Sequence, residues 1–416
     1  MKTDIIILLI KEHPQQGIYL PVKKRGFGIG KHVAVGGGVE AGESLQQAAS
    51  RELEEETGLQ VPPHDFHKAG VLTFHFPARP QWERGVHVYL LREWRGEPVE
   101  SDELKPYWFE INDIPYHKMW QDARYWLPQV ISGESIQGEF TFAEDNESLV
   151  QHSTRPAPDY LWLHLRSLPY FRSILRSVEA SYYQDYQLPS PVYDLGSGDG
   201  HFASIVFDAQ LDVGLDPWET PTRQAVESKA YRLLVVADGA DSPFPSDFFG
   251  SGLSNSVLEH IEHIDRVLTE TARILKPGAL FLFCVPNPGY YSALSIPAIL
   301  SKLGLDRLAR AYTRWFGRMS RVFHADSPEV WKQRLEKAGF TLEHHWHYFS
   351  PQAMRALEWG HYFGLPSLIT KILFGRWIIA PWRWNLYLTA LFVRRFAGRQ
   401  QREDGTFTWF AARKNP

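Results

Sequence analysis

Apolar residues gather in short runs near the start of the chain, at Ile5 to Leu9, Ile18 to Leu20, Val71 to Phe76 and Val86 to Leu91. Runs of this length, set off by the basic turn Lys23-Lys24-Arg25-Gly26, predict β-strands. Between the second and third runs the spacing changes to that of a helix. At a rotation of about 100° per residue, Leu45, Ala48, Ala49 and Leu53 supply an apolar side, while Glu52, Glu55 and Glu56 fall within one third of the circumference. Ser44 is the expected N-cap, Gln47 completes a capping box, and Gly58 is a natural stop. Short strands around one well-marked helix predict an α+β sandwich with a mixed sheet.

A different rhythm follows. Val192 to Leu195 runs into the turn Gly196-Ser197-Gly198-Asp199-Gly200, and a second apolar segment ends at Asp216. Leu233 to Ala237 then precedes Asp238, and FFGSGLSNSVLEHI and RILKPGALFLFCVPNP come next. Strands alternating with helices predict a parallel sheet with ligand at the strand carboxyl ends. Phe340 to Phe349 and Thr406 to Lys414 read as two further strands, which makes 350–404 an insertion between them. The prolines and polar residues of 153–159 predict a linker between a domain at 1–152 and one at 160–416.

Composition narrows the class. With 416 residues, 44 % of them hydrophobic, the chain has material for two or three cores. A net charge of -4 argues against a partner that is a nucleic acid polymer. Cys284 is the only cysteine, so no internal disulfide can form, which fits a reducing cytoplasm. The opening MKTDIIILLIKEHP reads as a strand rather than a signal peptide. No charge-free apolar run reaches 18 residues; in Leu365 to Val393 the run is interrupted by Lys371, Arg376 and Arg383.

The candidate chemistry begins at Gly37 to Leu59, spaced G-x5-E-x7-R-E-L-x-E-E-x-G-L. Three carboxylates on one helical face repel unless a cation sits among them, and hard oxygen ligands at this density suit Mg²⁺ or Mn²⁺. Arg51 lies one turn before Glu55 and can hold it by an i,i+4 pair. At every fixed position this stretch resembles the signature box of the Nudix hydrolases. KKRGFGIG, PVESDELKPYWF, IPYHKMW and YWLP extend the likeness, over nearly the whole first domain, to the oxidised-purine nucleoside triphosphatases. The resemblance implies a Nudix α/β/α sandwich and a metal set of the Gly36 carbonyl with Glu52, Glu55, Glu56 and Glu103. A carboxylate beside the metal can take the proton of the attacking water, and either Glu52 or Glu56 could do it, with Arg51 among the catalytic residues. By resemblance Lys23 would meet the phosphates. Phe27, Phe74 and Trp120 would line the base pocket, and Asp122 would bind the base edge. Two positions depart: the family has asparagine where Val33 stands and a second aspartate where Ala123 stands. Val33 offers no hydrogen bond, so a broader or different nucleotide choice is expected.

In the second domain VYDLGSGDG, GLD, VADGAD, SNSVLEHI and RILKPGALFLF occur in the order of the class I S-adenosylmethionine-dependent methyltransferases, which this part resembles over about residues 190 to 290. A Rossmann-like sheet of seven strands is implied, with Asp194, Gly196 and Gly198 cradling the methionine part of the cofactor, Asp216 its ribose, and Asp238 with Gly239 its adenine. Glu259 and His260 read as cap or surface residues rather than as a base. Residues 290–324 and 350–404 would form a cap rich in Trp and Arg. It is read as helices with basic outer faces, as a cover for a greasy acceptor, or as a patch resting on an anionic membrane. The expectation is a bifunctional enzyme; the alternative is an active hydrolase whose second domain only binds S-adenosylmethionine, a membrane or a partner.

Overall fold

The computed structural model describes residues 2–11, 17–40, 43, 45–186, 188–399 and 401–416. The expected N-cap, Ser44, lies outside the described residues. The chain divides into two compact units, Met1–Pro158 and Asp159–Pro416.

The first unit runs β1 (Lys2–Lys11), β2 (Gly17–Tyr19), β3 (Val22–Lys23), α1 (Leu45–Thr57), β4 (His67–His75), β5 (Arg84–Leu91), β6 (Leu104–Lys105), β7 (Trp108–Glu110), α2 (Ala123–Ile131), β8 (Ile136–Phe142) and β9 (Leu149–Pro156). Its described residues build a mixed sheet ordered β7-β2-β1-β5-β4-β8-β9, with β3 and β6 as a separate pair. The period-two alternation of the strands decides which helix covers which face. Ile5, Ile7 and Leu9 of β1 join Tyr89 of β5 and the α1 residues Leu45, Ala48, Ala49 and Leu53. Leu8 and Ile10 join Val86 and Val88 and the α2 residues Trp126, Leu127 and Val130. The result is a sheet between two helical layers. Gly58, with φ +73°, ends α1 by donating its N–H to the Glu54 carbonyl at 2.8 Å.

The expected linker at 153–159 is strand as far as Pro156, where β9 pairs antiparallel with β8. Pro156 is tolerated there because β9 is the outermost of the described strands.

The second unit runs α3 (Tyr160–Leu165), α4 (Tyr170–Tyr183), β10 (Val192–Leu195), α5 (His201–Val206), β11 (Leu211–Asp216), α6 (Glu219–Ser228), β12 (Tyr231–Val236), β13 (Phe249–Asn255), α7 (Ile264–Ile274) and β14 (Leu275–Pro286). It continues α8 (Gly289–Ser292), α9 (Ser295–Lys302), α10 (Asp306–Met319), α11 (Pro328–Ala338), β15 (Phe340–Tyr348), α12 (Pro351–Phe363), α13 (Leu365–Phe374), α14 (Arg383–Val393) and β16 (Phe407–Lys414). The described strands order as β12-β11-β10-β13-β14-β16-β15, with β16 antiparallel to both neighbours. Phe281, Phe283 and Val285 of β14 face α7 and α11, whereas Leu280, Leu282 and Cys284 face the layer of α3, α4, α12 and α14. Since β14 and β15 both run antiparallel to β16, their carboxyl ends lie at the same edge as those of β10, β11 and β13. The segments holding α8–α10 and α12–α14 leave the sheet from that edge. They are tied together by Glu358, whose carboxylate accepts from the Ser295 N–H at 2.6 Å, the Ser295 hydroxyl and the Ile296 N–H. No helix of the described residues is long and apolar enough to cross a membrane.

Candidate functional site

In the first unit Glu52, Glu55, Glu56 and Glu103 all border one cavity of about 480 Å³, together with Gly36, Gly37, Lys23 and Arg25. The apolar side of α1 is locked into the core, which turns its carboxylates toward the loop that precedes the helix. Glu56 is buried and accepts from the Gly36 N–H at 2.8 Å. Gly37 lies so close to Glu52 that a side chain there would overlap its carboxyl group. Arg51 donates to Glu43 and Glu52 at 3.0 and 2.8 Å, and to Glu55 at 3.3 Å. Across the cavity Glu103 accepts from Arg25 at 2.9 Å and Lys23 at 3.5 Å.

The electrostatics follow from this crowding. Burial pushes the Glu56 carboxyl up to about 7, against the opposing pull of the Gly36 N–H and Lys23, and Glu52 and Glu103 add to the rise. Burial raises Glu52 too, with Arg51 opposing. The hydrogen bond from Arg25 holds Glu103 below the usual carboxylate range. Among the described residues no three His, Cys, Asp or Glu side chains already converge as metal ligands. Arg51, Arg25 and Lys23 pair with these carboxylates. The expected metal set is therefore gathered around one space, and its oxygens are the donors a hard divalent cation takes.

Phe27 and Trp120 stack on each other with centroids 4.6 Å apart and planes 21° apart. Phe27 also meets Trp82 edge-on at 4.8 Å and Phe76 at 6.4 Å. Phe74, grouped with them by resemblance, stacks instead on Phe140 at 5.5 Å. Asp122 is buried and accepts from the Trp126 indole N–H at 2.8 Å, and burial raises it to about 6. Val33 is half-buried and packs on the cluster that carries α1; Ala123 is buried in the other. Trp82, Phe76 and Arg25 were not singled out in the sequence. Only Arg25 left a local signal, as the third cation of the turn that holds Lys23.

At the carboxyl edge of the second sheet, Gly196, Gly198 and Gly200 all have positive φ, at 80°, 54° and 72°. A side chain at Gly196 would overlap Val257, whereas the space beyond Gly198 is open, which leaves a cradle for a ligand. Asp216, at the end of β11, accepts from the Gly198 N–H at 3.0 Å and the Trp218 N–H at 2.9 Å. Asp194 is buried beneath the turn, accepts from the Tyr231 hydroxyl at 2.5 Å, and is raised by burial to about 7. Asp238 is exposed and caps its own turn by accepting from the Ala240 N–H at 2.9 Å, while Gly239 lies against Leu195.

The sequence left a buried network at this edge unnoticed. Glu179 of α4 is fully buried and accepts from Arg176, Asn255, Ser256 and Tyr348 at 3.0, 2.8, 2.6 and 3.1 Å. Glu259, expected at the surface or as a cap, is buried instead, because Phe323 and His324 donate backbone N–H groups to its carbonyl and draw the segment after α10 over it. Its neighbour His260 is exposed. A cavity of about 530 Å³ adjoins the glycine turn at Asp199 and His201 and is bordered by Arg166, Lys371, Arg376 and Trp377.

The NUDIX domain family matches the chain over residues 2–130 and the Methyltransferase domain family over residues 193–283. The chain is 34 % identical over 160 residues to the oxidized purine nucleoside triphosphate hydrolase of Mus musculus, covering 38 % of this chain and 100 % of that protein. It is 37 % identical over 159 residues to the protein of the same name from Danio rerio, covering 38 % of this chain and 99 % of that one. An uncharacterized methyltransferase of Mycobacterium tuberculosis is 31 % identical over 134 residues, covering 30 % of this chain; the chain spans only 50 % of that relative's length.

Proposed function

Because the chain belongs to the Nudix hydrolase family through its first unit and carries a methyltransferase domain in its second, we propose that it is a bifunctional enzyme. The first unit hydrolyses a nucleoside triphosphate, an oxidised purine nucleotide among the candidates, to the monophosphate and pyrophosphate with Mg²⁺ or Mn²⁺. The second transfers a methyl group from S-adenosylmethionine to a small or hydrophobic acceptor. The buried Cys284 fits action in the cytoplasm.

The observation that carries the hydrolase is the shared cavity in which Glu52, Glu55, Glu56 and Glu103 face Lys23 and Arg25. Gly36, Glu52, Glu55, Glu56 and Glu103 would hold the divalent ion, which when bound supplies charge neutralisation and polarises water. Lys23 and Arg25 bring two cations to the phosphate chain. Glu56 or Glu52 would take the proton of the attacking water. Arg51 holds Glu52 in place. The Phe27 and Trp120 faces offer apolar stacking to a base once they part, and Asp122 offers it an acceptor. Val33 presents no polar group, so selection for an oxidised base is weaker than a hydrogen-bonding side chain would give. Side-by-side turnover of 8-oxo-dGTP, 2-hydroxy-dATP and dGTP tests this: comparable rates are expected, and strong preference for the oxidised forms would overturn it.

For the second unit, the cradle of Gly196 and Gly198 above Asp194 and Asp216 fits S-adenosylmethionine. Bound there, the cofactor supplies an electrophilic methyl group; the chain's part is to align the acceptor with it and exclude water. Thermal stabilisation of the full chain by S-adenosylmethionine, lost in Asp216→Ala, tests the assignment.

A further inference from the structure

α14 is apolar on two opposite sides. Leu386, Ala390 and Val393 are buried in the core. Trp384, Tyr387, Leu388, Leu391 and Phe392, at spacings of i, i+3, i+4, i+7 and i+8, form a second stripe that faces solvent, with exposures between 59 % and 75 %. On α13, Ile369, Ile372 and Leu373 repeat the pattern, and Trp382 stacks on Trp384 at 6.1 Å. An apolar surface of this extent is not left to water.

Charge identifies what covers it. From Trp359 to Arg402 the sequence contains no Asp or Glu, whereas Lys371, Arg376, Arg383, Arg394, Arg395, Arg399 and Arg402 are basic. Of these, Arg394, Arg399 and Arg402 pair with Asp159, Asp185 and Asp404. Arg376, Arg383 and Arg395 are exposed at the ends of the two helices. A second copy of this chain would set these cations against one another. An anionic lipid surface accepts both the cations and the apolar stripe, with Trp at the boundary. At 10 and 11 residues the helices are about 15 Å long, half the thickness of a hydrocarbon core, so they can lie along a bilayer but not cross it.

We propose that α13 and α14 seat the second unit on an anionic bilayer. Trp384, Leu388 and Phe392 enter the boundary between headgroups and acyl chains, and Arg376, Arg383 and Arg395 lie among the lipid phosphates. Because Lys371, Arg376 and Trp377 also border the cavity beside the glycine turn, docking brings that cavity to the lipid surface. The inference stands on exposure and charge and is independent of any methyl transfer.

The test is flotation of the full chain with vesicles of phosphatidylcholine and phosphatidylglycerol, against phosphatidylcholine alone, in low and high salt. Association with the mixed vesicles is expected, weakened by salt and about tenfold weaker for Leu388→Glu/Phe392→Glu and for Arg376→Glu/Arg395→Glu. These positions are exposed, so circular dichroism and melting should match the wild type, which separates lost docking from lost fold. Absence of flotation with the mixed vesicles, or variants that float as well as the wild type, would overturn the proposal. So would equal flotation with neutral vesicles. A wild-type dimer that Leu388→Glu/Phe392→Glu turns into a monomer would give the surface to a second copy and overturn it equally.

Discussion

Asp194 is buried beneath the glycine turn at a cost to the fold. Burial raises its carboxyl to about 7, with the Tyr231 hydroxyl donating to it at 2.5 Å. An Asp whose folded pKa lies above its unfolded value of about 3.9 stabilises only while protonated. That contribution is complete below pH of about 4 and is lost as pH rises through about 7. Asp194→Asn keeps an acceptor for Tyr231 and removes the titration. The second unit of the variant should then lose less stability between those limits than the wild type, and parallel melting-against-pH curves would contradict this. At Gly196, φ of 80° and the Val257 side chain both oppose a methyl group, so Gly196→Ala should lower stability by about 1–3 kcal/mol and abolish the stabilisation by S-adenosylmethionine. Asp194, Gly196 and Asp216 stand out in the sequence because glycines and acids at strand ends form local patterns. Glu179 does not: two of its partners, Asn255 and Tyr348, stand 76 and 169 residues away.

Among the elements, α1 was readable in full between its apolar side and Gly58, since a helix writes its own period into the sequence. β9 was misread. Its residues LVQHSTRP are mostly exposed, so an edge strand here carries none of the apolar alternation that marks a buried one. The aromatic contacts of Phe27 with Trp82 and Trp120 likewise arise from separate segments brought together by the sheet. What joins the two excursions from the second sheet was hidden in the sequence. Glu358 of α12, fully buried, satisfies the start of α9. Replacing it by Ala leaves those donors without an acceptor and should cost about 1–3 kcal/mol. Amide exchange across 290–302 would rise selectively; unchanged exchange there would mean that the excursions are held by packing alone.

At the scale of the whole molecule, each buried apolar cluster of the described residues lies within one unit. Each therefore has what a domain needs to fold by itself. The fragment 1–158 is expected to hydrolyse nucleotide within about twofold of the rate of the full chain; a much slower fragment would reveal dependence on the second unit. The hydrolase itself rests on carboxylates gathered around one cavity, with Glu56 the most buried of them. The most direct measurement is release of pyrophosphate from a panel of nucleoside triphosphates in Mg²⁺, by the wild type and by Glu56→Gln. Turnover by the wild type is expected, with a loss of about a hundredfold or more in a variant that melts as the wild type does. A wild type that consumes no nucleoside triphosphate, or a Glu56→Gln variant of undiminished rate, would contradict it.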